Sequence, residues 1–315
     1  MAVQLGDARA REGDLLSLGR LAAATEGVPE IVVGLIDGPV VVGHPALAGE
    51  RIRVLGAPAT AAGSAAAAPV TRAAPALSHG TFVAGLLHAR RGTPAPGICP
   101  ACTLLVRPVF ADGAPPEAGG AGRVRGADDN GGPWATAEEL ARAIVDCVRA
   151  GAGLLNISAA LVGLAPAGER YLREALDFAR DREVVVFVAA GNRGLVGGSM
   201  LTRHPWAVPV VAYGRDAVPL PSCDLAASMG RRGLGAPGQD IDGITPGGGG
   251  TRSSGTSAAT PLVTGAAALV WSCVPQARGA AVRSALLQAV AWPRRGVAPP
   301  LLDAWRAYAL LSGGG

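Results

Sequence analysis

The 315-residue chain contains no lysine, and all 28 of its basic side chains are arginine. With the excess of Ala and Gly, this usage reads as coding bias rather than as function. Against 24 acidic residues the arginines leave a formal charge of +4. They are scattered, and no run of five like charges occurs, so no nucleic acid is expected as a partner. Aromatic residues are scarce, at 4% of the chain, so the core must be built from Ala, Val and Leu. No uncharged apolar run reaches the roughly 18 residues that a membrane span needs. The nearest, from Thr260 to Val274, is short and contains Pro261. The first 20 residues lack the uninterrupted apolar core of a signal peptide. A soluble, cytoplasmic protein with no membrane partner is the expectation.

The five cysteines are an odd number, which speaks against a full disulfide framework. Cys99 and Cys102 have CxxC spacing, but no second CxxC and no nearby His completes a zinc set. Packing is the simpler reading, and neither a metal nor a cofactor is implied. What the chain has in quantity is apolar surface, with 49% hydrophobic residues and a mean hydropathy of +0.32. That is enough to bury a sizeable core.

The apolar matter is arranged as strands alternating with helices. Strands are expected at 31-IVVGLI-36, 103-TLLVRPVF-110, 153-GLLNIS-158, 184-VVVFVAA-190 and 207-AVPVVAY-213. Helices are expected at 79–90, 137–151, 167–182, from Ser257 onward and at 278–290, with Thr136 and Glu139 forming a capping box. Pro261 is expected in the first turn of the helix after Ser257, where proline is tolerated. Gly56 to Pro75, Ala111 to Pro133 and the segment from 214 to Ser254 read as loops or irregular chain. Continuously apolar strands alternating with helices imply an α/β fold with a parallel sheet covered on both faces. The expected organisation is an N-terminal helical extension, 1–30, followed by one domain, 31–315.

In such sheets chemistry gathers beyond the carboxyl ends of the strands, and Asp37, Ser158 and Asn192 all fall there. His79 opens an expected helix beside the small Gly80. Ser257 opens another within Gly255-Thr256-Ser257. Ser257 reads equally as an N-cap and as a nucleophile, and the two readings are compatible. Asp, His and Ser supply the orienting anion, proton shuttle and nucleophile of amide hydrolysis, and Asn192 is well typed as an oxyanion donor. Each residue alone is a weak signal.

Five segments, taken in order, resemble the subtilisin-like serine peptidases. They are 33-VGLIDGPVVVGHPAL-47, 78-SHGTFVAGLL-87, 97-GICPACTLLVRPVF-110, 186-VFVAAGN-192 and 254-SGTSAATPLVTGAAAL-269. The resemblance implies a subtilisin-like three-layer sandwich, a triad of Asp37, His79 and Ser257, and an oxyanion hole containing Asn192. It also implies a substrate-binding role for Ser158, Ala159, Ala160 and Gly191. Where many relatives have Leu-Gly after the strand at 154–158, this chain has Ala159-Ala160, which implies a narrower cleft.

Asp37-Gly38-Pro39-Val40 with His44-Pro45 is similar to the cyanobactin proteases, which mature ribosomally made precursor peptides. That likeness implies a precursor-peptide substrate and possible partner biosynthetic enzymes. Hydrolysis is expected rather than macrocyclisation, because no cap-like helix is evident between Phe110 and Ala137. The alternatives are a general intracellular subtilase and a catalytically silent peptide-binding scaffold. Of the remaining polar groups, Asp128-Asp129-Asn130 reads as a solvated cluster. His44 and His88 read as structural, and His204 has no partner nearby in sequence.

Overall fold

A computed structural model describes residues 15–56, 74–112, 123–126, 133–162 and 166–313. Seven strands form the central sheet: β1 (Val32–Asp37), β2 (Ile52–Val54), β3 (Thr103–Pro108), β6 (Leu154–Ile157), β8 (Val185–Ala189), β9 (Val208–Tyr213) and β10 (Leu234–Pro237). Their order is β10-β9-β8-β6-β1-β3-β2, and every pairing is parallel. The chain builds from β1 toward one edge through β3 and β2, then crosses to the other side of β1 at β6. The crevice beyond β1 and β6 is therefore the topological switch point, where parallel sheets bind ligands.

Side chains alternate along each strand into two cores. Val33, Leu35, Leu104, Leu154, Val185 and Phe187 face one core, and Ile36, Leu105, Leu155, Val186 and Val188 face the other. The first core is roofed by α2 (Pro75–His88) and α7 (Thr256–Cys273), and the second by α3 (Ala137–Arg149) and α4 (Pro166–Asp181). This is the expected three-layer α/β arrangement. The capping box of α3 is formed: Thr136 Oγ1 accepts Glu139 N–H at 3.1 Å, and Glu139 Oε2 accepts Thr136 N–H at 3.0 Å.

Several local expectations need correction. Helix α2 begins at Pro75, four residues before His79, because proline suits a first helical position and Asp112 Oδ1 accepts Ala76 N–H at 3.0 Å. The segment read as a loop from Ala111 to Pro133 contains β4 (Arg123–Gly126), which pairs antiparallel with β5 (Trp134–Thr136) and β7 (Ala159–Val162). Asp128-Asp129-Asn130, most of the loop read after Gly56 and most of the region bearing on a cap helix lie outside the described residues. The irregular stretch before Ser254 holds α6 (Ala227–Arg232), β10 and the hairpin of β11 (Ile241–Ile244) and β12 (Gly250–Ser253).

Near the N-terminus, α1 (Gly19–Ala24) with Leu16, Leu18 and Leu21 joins the first core, and Leu16 C=O accepts Ala304 N–H at 2.9 Å. The described part of residues 1–30 is thus packed into the same body as the sheet. Further helices are the short α5 (Met200–Arg203) and the C-terminal α8 (Gly279–Gln288) and α9 (Ala304–Leu311).

Candidate active site

Asp37 is the last residue of β1 and is fully buried. Its Oδ1 lies 2.7 Å from His79 Nδ1 and also accepts the Gly38 N–H at 2.6 Å. A carboxylate only accepts, so this contact places a proton on Nδ1 and makes Nε2 the basic nitrogen.

The close approach of α2 to the Asp37 turn depends on two glycines. A Cβ on Gly38 would lie 2.6 Å from the Ala76 carbonyl carbon, and one on Gly80 would lie 2.5 Å from Gly38 O. The room that Gly80 leaves is therefore filled by the aspartate turn's backbone rather than by space beside the imidazole. Thr81 Oγ1 accepts Val41 N–H at 3.2 Å and adds a tie between the same two segments.

Ser257 sits at the second position of α7, and the structure separates the two readings of its place. The helix starts at Thr256, its N-cap is Gly255 at φ 127°, and no cap-residue side chain closes the helix start. The acceptor comes instead from Asn192, whose Oδ1 takes the Thr256 N–H at 2.9 Å and the Thr256 hydroxyl at 3.0 Å. Ser257 is thus not the N-cap. With Oδ1 engaged, the donating end of the Asn192 amide is Nδ2, which lies beside Gly255. A Cβ at 255 would come within 2.9 Å of it.

Pro261 stands at the sixth helical position rather than in the first turn. Its missing N–H takes away the helical hydrogen bond that the Ser257 carbonyl would otherwise accept. The rest of α7 is secured by a buried polar chain. Thr264 Oγ1 lies 3.0 Å from both Thr260 O and Asn156 Oδ1, and Asn156 Nδ2 donates to Ser158 Oγ at 3.0 Å.

The other residues expected at the site divide into two groups. Ser158 follows β6 directly and is fully buried, its hydroxyl turned to Asn156. Ala159 and Ala160 open β7 and pair with Gly126 and Arg125 of β4. Gly191 stands at φ 114°, in the conformation that favours glycine. Its N–H points to Thr256 Oγ1 at 3.3 Å.

The remaining histidines have structural partners. His44 Nδ1 accepts Ala46 N–H at 3.0 Å, and His204 Nε2 meets Asp177 Oδ1 at 3.3 Å, a partner invisible in the local sequence. His88 is buried at the end of α2, and burial pushes its pKa down to about 4. Cys99 and Cys102 are buried thiols that hydrogen-bond to each other, which raises Cys99 and lowers Cys102, and Ser272 is also within reach of Cys102.

Sequence reasoning missed Asp224. It is 5% exposed, and its Oδ1 accepts the N–H groups of Arg193 and Leu195 at 3.0 Å each. Nothing in the stretch around it has periodicity or motif character, so only the fold brings it to the Asn192 loop.

The chain as a whole is similar to known proteins. The profile described as the subtilase family matches residues 29–302. Subtilisin amylosacchariticus of Bacillus subtilis subsp. amylosacchariticus is 31% identical over 211 residues, 66% of this chain and 49% of that protein. Subtilisin of Bacillus pumilus is 30% identical over 66% of this chain and 68% of its own. The chain thus spans about half the length of the first of these relatives.

Among solved structures, the patellamide maturation protease PatA is 31% identical with a TM-score of 0.72, covering 92% of this chain and 99% of its own. The prenylagaramide maturation protease PagA is 27% identical with a TM-score of 0.76, covering 93% and 98%. The PatG macrocyclase in complex with peptide, at 20% identity and a TM-score of 0.76, shares the fold, with 94% and 96% covered. A parallel sheet that ends in a buried aspartate paired with a partly exposed histidine, a serine in the first turn of the central helix and a match over nearly the whole fold lead to one assignment: the chain belongs to the subtilase family.

Proposed function

We propose that this chain is a serine endopeptidase that processes a ribosomally made precursor peptide in the cytoplasm, alongside partner biosynthetic enzymes. The observation that carries the reading is the 2.7 Å contact between His79 Nδ1 and the buried Asp37 carboxylate. It fixes the imidazole tautomer that a general base requires.

Ser257 Oγ attacks the scissile carbonyl and gives its proton to His79 Nε2. The oxyanion is stabilised by Asn192 Nδ2 and the Ser257 N–H at the positive end of α7. His79 then protonates the leaving amine, and water hydrolyses the acyl-enzyme by the same route in reverse. Asp37 stabilises the imidazolium throughout. The substrate class is supported by the maturation proteases PatA and PagA, which match this chain over almost its full length.

The test is labelling with an alkyl fluorophosphonate, read by intact mass and peptide mapping, on wild type, Ser257→Ala and His79→Ala. One adduct on Ser257, absent from both variants, is expected. No adduct on folded wild type overturns autonomous catalysis and leaves a peptide-binding scaffold. Equal cleavage of a precursor-type peptide and of an unrelated unfolded protein would replace precursor maturation with general proteolysis.

A further inference from the structure

Asn192 is held from two directions. Its side chain is fixed by Thr256, as described above. Its backbone belongs to a loop, residues 191–197, that is zipped to residues 222–225. Gly191 O accepts Asp224 N–H at 2.9 Å, and Ser222 O accepts Gly194 N–H at 2.7 Å. Leu195 O accepts Leu225 N–H at 2.9 Å, and Leu225 O accepts Gly197 N–H at 2.8 Å.

At the centre of this zipper lies the Asp224 carboxylate. Its Oδ1 takes the N–H groups of Arg193 and Leu195, and its Oδ2 is 3.7 Å from Arg193 Nε. A Cβ on Gly191 would lie 2.9 Å from the Asp224 carboxyl carbon, so only glycine at 191 lets the carboxylate come this close. Asp224 therefore bonds to the residues on both sides of Asn192 while the asparagine's own amide is turned to the helix that bears Ser257.

We propose that Asp224 is a positioning residue, one that sets the backbone of Asn192 so that its Nδ2 meets the oxyanion. The proposal rests on the serine-peptidase reading above. A carboxylate that accepts two backbone N–H groups of one loop selects one loop shape, because losing it leaves both donors unsatisfied in a partly buried site. Oxyanion stabilisation is sensitive to such placement, since donors act only when aimed at the atom that gains charge.

The test follows the rate of Ser257 phosphonylation by an alkyl fluorophosphonate, separated into a maximal rate and a half-saturating concentration. Asn192→Ala is expected to lower the maximal rate by about 10²–10³-fold. Asp224→Ala is expected to lower it roughly 10–100-fold with half-saturation unchanged within about twofold. The decisive comparison is the double variant. If Asp224 acts through Asn192, adding Asp224→Ala to Asn192→Ala costs no more than about twofold. Asp224→Asn, which keeps an acceptor at Oδ1, is expected to retain most of the rate.

An equal loss from Asp224→Ala in both backgrounds would overturn the proposal and leave Asp224 with a general structural role. Should Asp224→Ala fail to fold, Asp224→Ser serves in the same cycle, its hydroxyl being too short to bridge both donors. A wild-type rate for Asn192→Ala would instead sink the oxyanion assignment, and an adduct on Ser257→Ala would sink the nucleophile.

Discussion

His88 offers a direct measure of how the first core depends on pH. Its ring is 1% exposed at the end of α2, and desolvation lowers its pKa from 6.5 to about 4. The nearby carbonyls of Ala48 and Cys99 pull the other way, and by less. In the unfolded chain the same imidazole takes a proton near 6.5, so as pH falls the unfolded state is protonated first. The stability that neutral His88 contributes is therefore complete above about pH 6.5, drains away toward pH 4 and levels off below it. With each pK unit worth about 1.4 kcal/mol, the loss attributable to this residue is about 2 kcal/mol by pH 5 and about 3 kcal/mol by pH 4.

The assay is urea unfolding followed by tryptophan fluorescence from pH 7.5 to 5, in a Ser257→Ala background so that no chain is cut. It compares the protein carrying His88 with the His88→Gln variant, whose amide does not titrate. His44 and His204 are also lowered by burial, but both remain in the two proteins and cancel in the difference. The stability advantage of the histidine protein over the glutamine variant should shrink by about 2 kcal/mol between pH 7.5 and 5. A difference that stays flat within about 0.5 kcal/mol would refute the claim that His88 is held neutral by burial.

Two further outcomes follow from packing. Gly80→Ala would drive a methyl into the backbone of Gly38, so α2 must shift; we expect a loss of roughly 1–3 kcal/mol and at least a tenfold slower phosphonylation, and a wild-type rate would show that the turn yields freely. Phe187→Ala empties a fully buried position of β8 and should cost about 3–5 kcal/mol in urea unfolding, whereas Trp292→Ala, at a 38% exposed site, should stay within about 0.5 kcal/mol; equal costs would contradict the assigned core.

Much of the frame was legible because the strands of a doubly covered parallel sheet are continuously apolar. Strands β1, β3, β6, β8 and β9 fall within the apolar runs, save that β1 extends one residue to take in Asp37. The capping box at Thr136 was legible for a similar reason, since both partners lie within four residues. Strands β4, β10, β11 and β12 were not, being four residues each in Gly- and Arg-bearing chain. The start of α2 was missed because its first N–H bond goes to Asp112, 36 residues away.

The sequence by itself determined the five long apolar strands and the helices packed on them, and which chemical types stand at their ends: a carboxylate at β1, an imidazole on α2 and a hydroxyl in the first turn of α7. Those are local facts, set by side-chain periodicity and by residues within a turn of one another. Only the tertiary structure decided what holds them. Asn192 caps a helix 64 positions further on, Thr264 reaches Asn156 across 108, and Asp224 closes the loop that carries Asn192. Such bonds depend on the sheet order placing β1, β6 and β8 side by side under α7. No short-range pattern encodes that adjacency, because the free energy that selects it comes from burying two whole faces of the sheet at once.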